Sequence, residues 1–148
     1  MMSDYWWIGS IILVCGWFVL QHFNDGRETR KELRSQIGAV ISLIEEVQRH
    51  CYEYYASPGG DPRIAKCGQD IRCKVKQIGT RVSNLNNQLP QFALTSRSVK
   101  FRKAATLKLD DCKRPALPSS DPIYEEISYA GGALISSLEG AFRSRFGS

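Results

Sequence analysis

The stretch that decides the fold is IEEVQRHCYEYYASPGGDPRIAKCGQDIRCKV, residues 44–75. At its centre, SPGGDP (residues 57–62) separates two apolar stripes with residues that do not readily continue a helix. Asp61 followed by Pro62 is typical of a helix N-cap with proline at the first helical position. The sequence therefore predicts two long helices joined by a tight turn, which is an antiparallel hairpin.

The apolar residues on either side of this turn repeat at spacings of four and three, as in the seam of a coiled coil. These seam residues are Leu33, Ile37, Val40, Ile44, Val47, Cys51 and Tyr54 before the turn, and Ile64, Gly68, Ile71, Val75, Ile78, Val82, Leu85 and Leu89 after it. A hairpin and a short tail would not cover so long a stripe. We therefore expect a homo-oligomer, with a tetramer favoured.

Upstream of the hairpin, residues 5–23 carry no charged side chain and are long enough to cross a bilayer. Tyr5, Trp6 and Trp7 at one end, with Trp17, Phe18 and Phe23 towards the other, fit the aromatic belts of a membrane segment. A secretory signal would need a basic n-region and a small-residue cleavage site. The pattern favours a retained transmembrane helix, with a buried helix of a soluble domain as the alternative.

Basic residues fix the expected orientation of this anchor. Arg27, Arg30, Lys31 and Arg34 follow it and none precedes it, so the C-terminal part should lie on the cytoplasmic side. We predict a bacterial inner-membrane protein that crosses once, in contact with inner-membrane lipids. Its anchor would span residues 1–26 and its cytosolic helical domain residues 27–148.

The rest of the chain predicts two further helices. SVKFRK and TLKLDD alternate apolar and charged residues as short strands do, but Ala104 and Ala105 between them favour a helix over residues 98–111. A last helix should be capped by Ser120 or Asp121, with Pro122 near its first position and Ile127 and Leu134 on its apolar face. The predicted fold class is all-α: one transmembrane helix, then a small cytosolic helical bundle built on the long hairpin.

Motifs of catalysis are missing from the sequence. It has no phosphate-loop signature, no nucleophile elbow, no paired-histidine metalloprotease motif and no dinucleotide fingerprint, so we predict no enzyme and no cofactor. His50, Cys51, Cys67 and Cys73 could be drawn as a zinc site, but the spacing lacks the usual C-x2-C pair, so we predict no metal. An odd count of five cysteines in a reducing cytosol predicts no structural disulfide.

Positive charge is concentrated in the middle of the chain. Between residues 63 and 114 there are thirteen Lys and Arg against three Asp, within a net charge of +5. Such a field favours an anionic ligand, with phosphates bound by cations, a base stacked on an aromatic ring and base edges read by amides. The candidate ligand-binding residues are Arg97, Lys100, Arg102, Lys103 and Lys108, with Phe101, Asn84 and Asn87. A solvated helix face or a patch for lipid headgroups is the alternative interpretation.

This arrangement of an N-terminal anchor and a compact basic domain without catalytic motifs resembles the small membrane effectors of type III CRISPR defence. The resemblance implies a tetramer whose cytosolic part binds a cyclic oligoadenylate, namely cyclic tetra-adenylate. It also implies that the membrane part then harms the infected cell. Two other classes remain open. One is a coiled-coil scaffold of the cell envelope, and the other is a membrane-disrupting phage or toxin product.

Overall fold

The structure is a computed structural model that describes residues 6–89, 93–111 and 113–147, without the side chains of residues 6–10 and 22–24. The described residues form four helices and no strand: α1 (Trp6–Ala56), α2 (Pro62–Gln88), α3 (Leu94–Thr106) and α4 (Pro122–Phe146). The predicted all-α class is confirmed. The helix predicted over 98–111 begins earlier, at Leu94, and gives way after Thr106 to a turn at 107–110.

The chain divides into two compact units, Met1–Ser35 and Gln36–Ser148, and α1 contributes residues to both. In the first unit α1 exposes a series of large apolar side chains, which are Ile11, Ile12, Leu13, Val14, Trp17, Phe18, Val19 and Leu20. Among the described residues, no helix combines the length and the hydropathy that a bilayer crossing requires. Tyr5 and the side chains of Trp6, Trp7 and Phe23, predicted for the membrane boundaries, lie outside the described residues.

In the second unit, the end of α1 and the start of α2 form an antiparallel hairpin. Tyr54 lies against Gly68, the Cys67 thiol donates to the His50 carbonyl oxygen at 3.5 Å, and Lys74 pairs with Glu46 at 2.7 Å. Residues earlier in α1 therefore contact residues later in α2, as expected for antiparallel helices. At the turn, Gly60 has φ +103°, which glycine adopts readily, and the Asp61 carboxylate accepts from the Arg63 amide at 2.8 Å.

The seam residues are covered within the chain. All of them are buried except Ile64, which is half-buried, and α3 contacts both α2 and α4. α1 also reaches the later helices, because the Cys51 thiol lies 3.8 Å from the Ala105 carbonyl oxygen and the Gln48 amide donates to the Ile127 carbonyl oxygen at 3.5 Å. The expectation that the hairpin leaves part of the seam uncovered, which was the reason for predicting self-association, is therefore wrong. The oligomeric state itself stays a prediction.

Arg114, in the linker between α3 and α4, is buried against the end of α1. Its guanidinium donates to the carbonyl oxygens of Tyr54, Tyr55 (3.3 Å) and Ser57 (3.1 Å), and its Cζ lies 4.3 Å from the centre of the Tyr54 ring. The Leu117 amide also donates to the Tyr55 carbonyl oxygen, at 2.8 Å. The last carbonyl groups of a helix have no partner within it, so this linker completes the end of α1.

Candidate functional site

The positive side chains of the candidate site are arranged by α3. Leu94, Ser98, Phe101 and Ala105 are buried, and their spacing of three and four residues defines the inner side of this helix. The residues between them therefore project to the two flanks of α3. One flank faces α4 and the other faces α2, so the predicted cations that lie on α3 are divided between two depressions.

The first depression is a cleft of about 380 Å³ between α3 and α4. Arg97, Lys100 and Lys103 line it from α3, and Glu126 and Tyr129 line it from α4. Its floor is formed by small residues, Ala104, Ala130 and Ala133. We call it the α3–α4 cleft. It combines three cations and an aromatic ring over an apolar floor, which suits a ligand that has both phosphates and a flat ring.

The second depression, the α2–α3 groove, has a volume of about 710 Å³. The predicted residues Arg102 and Asn84 line it, together with Arg72 and Lys76. Arg72 already pairs with the Asp110 carboxylate. The groove is therefore basic and polar, and it lies on the opposite flank of α3 from Arg97 and Lys100.

Phe101 does not offer the aromatic surface that the sequence predicted. Its side chain is fully buried, and it lies beside Gly131, where an added Cβ would come within 3.2 Å of Phe101 Cε2. A ring held in the core cannot stack on a base, so this part of the prediction is wrong. Sequence reasoning overlooked Tyr129, which is 79% exposed and lines the α3–α4 cleft. Tyr129 lies between Ile127 and Gly131 in the sequence but off the apolar stripe of α4. That position was the available signal that its ring is exposed.

The two remaining candidates lie apart from the α3–α4 cleft. The Lys108 ammonium is 3.7 Å from the Asp121 carboxylate, the residue that caps the N-terminus of α4. Asn87 is exposed on α2 and lines neither depression. The structure thus brings Arg97, Lys100 and Lys103 together, places Arg102 with Asn84, and leaves Lys108 and Asn87 separate.

On the other side of Tyr129 is an acidic depression of about 910 Å³. Glu125, Glu126 and Tyr129 line it, as do Tyr52 and Tyr124, whose rings stack with centroids 4.8 Å apart and an angle of 12°. Burial raises the pKa of the Tyr124 hydroxyl above its usual range. Tyr129 and Glu126 line both depressions and so stand on the ridge between them.

Two cysteines of the hairpin, Cys51 and Cys67, are packed in environments that favour the neutral thiol. Burial raises the pKa of Cys51 to about 12 and also raises the pKa of Cys67. Metal binding requires thiolates, which these environments disfavour. In the described ranges, no three His, Cys, Asp or Glu side chains are grouped as metal ligands would be. Cys15, Cys51, Cys67 and Cys73 are free, and Cys112 lies outside the described residues.

Comparison of this chain with protein-family models, with curated proteins and with solved structures gave no match. The two features of the chain that bear on its function are the α3–α4 cleft and the exposed apolar segment of α1.

Proposed function

We propose that this chain is a membrane-anchored sensor whose helical domain binds a phosphorylated nucleotide in the α3–α4 cleft. The architectural resemblance makes cyclic tetra-adenylate the specific candidate and antiviral defence the setting. The observation that carries the proposal is the meeting of Arg97, Lys100 and Lys103 with the exposed ring of Tyr129 around one cleft.

The three cations of the cleft are available to a ligand. In the part of the chain that the structure describes, none of Arg97, Lys100 and Lys103 forms an ion pair with a carboxylate. Arginine binds phosphate through two parallel hydrogen bonds and lysine through a single point charge. Tyr129 can stack on a base at the same place, an interaction worth about 1–3 kcal/mol per base. Together these groups favour a nucleotide over a simple inorganic anion.

The membrane part of the proposal is supported by the first unit. Ile11, Ile12, Leu13 and Val14 are successive residues, so they project in four directions around α1, and all four are more than half exposed. A helix that is apolar on every side is typical of a lipid environment, whereas a protein groove would cover only one stripe. The basic residues from Arg27 onward then favour a cytoplasmic helical domain.

Binding rather than catalysis is proposed because of the chemistry of the cleft. Its titratable groups are three cations, the Glu126 carboxylate and the Tyr129 hydroxyl. Nucleophilic catalysis needs an activated nucleophile with a base in hydrogen-bond reach and a third group that orients the base. The lining residues of this cleft do not supply such a set.

The test is a titration of the full chain in detergent with cyclic tetra-adenylate at moderate salt, with linear and smaller cyclic oligoadenylates for comparison. The variant Arg97→Glu/Lys100→Glu changes the cleft. The matched control, Lys76→Glu/Arg102→Glu, makes the same charge change in the α2–α3 groove. We expect the cleft variant to lose at least about tenfold in affinity per reversed cation, since a charge-assisted hydrogen bond is worth about 1.5–3 kcal/mol.

Three results would change the proposal. Loss of binding only in the control variant would move the site to the α2–α3 groove. Binding of no oligoadenylate by the parent chain would remove the sensor and favour the envelope scaffold. A periplasm-dependent reporter active after residue 148 would reverse the proposed topology.

A further inference from the structure

Large apolar side chains that are exposed in the second unit gather on one surface. Among the residues that the structure describes from Gln36 onward they are Tyr52, Leu107 and Tyr129, with exposed fractions of 49%, 63% and 79%. Leu107 lines the α3–α4 cleft, Tyr52 lines the acidic depression, and Tyr129 lines both. We call the surface formed by these two adjoining depressions the exposed face. Tyr129 lies at its centre.

The charges on the exposed face are separated by sign. Lys100 and Lys103 lie on one side of Tyr129, and Glu125 lies on the other, next to Glu126 on the ridge. Within the described ranges these four side chains form no ion pair with one another or with other groups. Asp121, also on the acidic side, is already engaged by Lys108 and by the capping of α4.

We infer that the exposed face binds a second copy of this chain across a twofold axis near Tyr129. A twofold contact places the same surface of both copies together, and with the axis running between the positive and the negative side, each positive side meets the negative side of the other copy. The two Tyr129 rings and the Leu107 side chains would then bury one another at the centre. A partner of a single charge would leave one side of the face opposite like charges, which is why a second copy fits best.

This inference does not depend on the proposed nucleotide, because it uses the face as it stands without a ligand. The surface expected to mediate self-association is then the exposed face of α3 and α4, and not the seam, which is covered. A twofold contact closes as a dimer, so the predicted tetramer would need a second contact. Because Lys100 and Lys103 serve both the dimer and the cleft, an anionic ligand in the cleft and the second copy should exclude each other.

The experiment is a charge exchange in the full chain, purified in detergent without nucleotide. One variant carries Lys100→Glu/Lys103→Glu and the other carries Glu125→Lys/Glu126→Lys. Each should lose at least about tenfold in self-association, because each then presents the same sign on both sides. An equal mixture of the two should restore association, since both contacts of the mixed dimer again join opposite signs. Sedimentation of the separate and mixed proteins, with differently sized tags, measures all three cases.

The matched control is Lys66→Glu/Arg81→Glu, which makes the same charge change at exposed positions of α2 outside the face. It should associate as the parent does, and helical circular dichroism should be the same for every variant. Tyr129→Ala tests the apolar centre without a charge change, and we expect a loss of about tenfold or more, as for an aromatic hot spot.

Association through the membrane segment would not respond to these charges. The inference is overturned if the parent is monomeric, if both exchanged variants associate as the parent does, or if the folded variants fail to associate when mixed. If the charge variants do not fold, unchanged association of Tyr129→Ala overturns it, and a loss supports it.

Discussion

Two connections of the helical domain are built in different ways. The turn between α1 and α2 is short, and residues within it favour its conformation. Gly60 adopts a positive φ and Asp61 caps the next helix. The linker between α3 and α4 also ends in a capping aspartate, Asp121, but its middle part is held by Arg114, which reaches residues 54, 55 and 57. A connection of the first kind can be read from neighbouring residues. The second kind depends on partners about sixty positions away in the chain.

Removal of Arg114 should have the largest effect on stability. Arg114→Met keeps an apolar side chain of similar length but leaves the Tyr54 and Ser57 carbonyl oxygens without their donor, whereas Tyr55 keeps the Leu117 amide. Each buried group left unpaired costs about 1–3 kcal/mol, so we expect the free energy of unfolding to fall by about 3 kcal/mol. Urea denaturation of the full chain measures this.

The control for that prediction is Lys113→Met, at the exposed neighbouring position. It should change stability by less than about 0.5 kcal/mol, as surface substitutions generally do. In Arg114→Met, hydrogen exchange of the Leu117 amide should also accelerate, because its bond to the Tyr55 carbonyl lies in the same contact. Equal stability of the two variants would contradict the role given to Arg114.

Gly60→Ala tests the local connection. A residue with a Cβ is strained at φ +103°, so we expect a loss of about 1–3 kcal/mol in the free energy of unfolding. Gly38→Ala is the comparison, because Gly38 lies inside α1 and an added Cβ there would meet nothing within 4 Å, so alanine should stabilise by about 0.5–1 kcal/mol. A stabilising Gly60→Ala would show that the turn does not depend on this backbone conformation.

Gly68→Ala tests whether the hairpin, like the α3–α4 linker, also depends on contacts between residues that are distant in the sequence. An added Cβ would lie 2.8 Å from Cε2 of Tyr54, the ring that packs under Arg114. Overpacking should outweigh the better helix propensity of alanine and destabilise by about 1–2 kcal/mol. Gly79→Ala, in the same helix but in open space, should have the opposite sign. Thermal unfolding of both variants decides the matter.

Asp61→Ala should have the smallest effect. It removes the carboxylate that accepts from the Arg63 amide, and loss of an N-cap costs about 1 kcal/mol. Asp61→Asn, which still accepts a hydrogen bond, should recover most of this in urea denaturation. If the asparagine variant is as unstable as the alanine variant, charge rather than capping is the contribution of Asp61.

The same difference explains how much of the fold could be predicted. The hairpin, the cap at Asp61 and the start of α4 at Asp121-Pro122 follow from residues close together in the chain. α3 was harder, because its first residue, Leu94, follows an N-cap position without a capping side chain. Arg114 gave no signal at all, since a cation in a polar linker is usually exposed.

The candidate site was predicted in composition but not in arrangement. Charge density drew attention to α3, where Arg97, Lys100 and Lys103 line one cleft. Residue spacing alone could not tell which flank of α3 would face α2 and which would face α4. Phe101 is aromatic and lies next to cations, so the sequence favours it as a stacking surface, yet it lies on the buried stripe of α3. Tyr129 lies in another helix, and only tertiary packing brings it to the cleft.

The position of Arg114 also bears on how the protein is made. The ribosome releases the chain from its N-terminus, so the end of α1 and all of α2 emerge well before residue 114 does. Until then the carbonyl groups at residues 54, 55 and 57 lack their guanidinium partner. The hairpin can form early, but its turn end is finished only when most of the chain has been synthesised. A chain that stalls or is cut short before this arginine would therefore carry an incomplete first half.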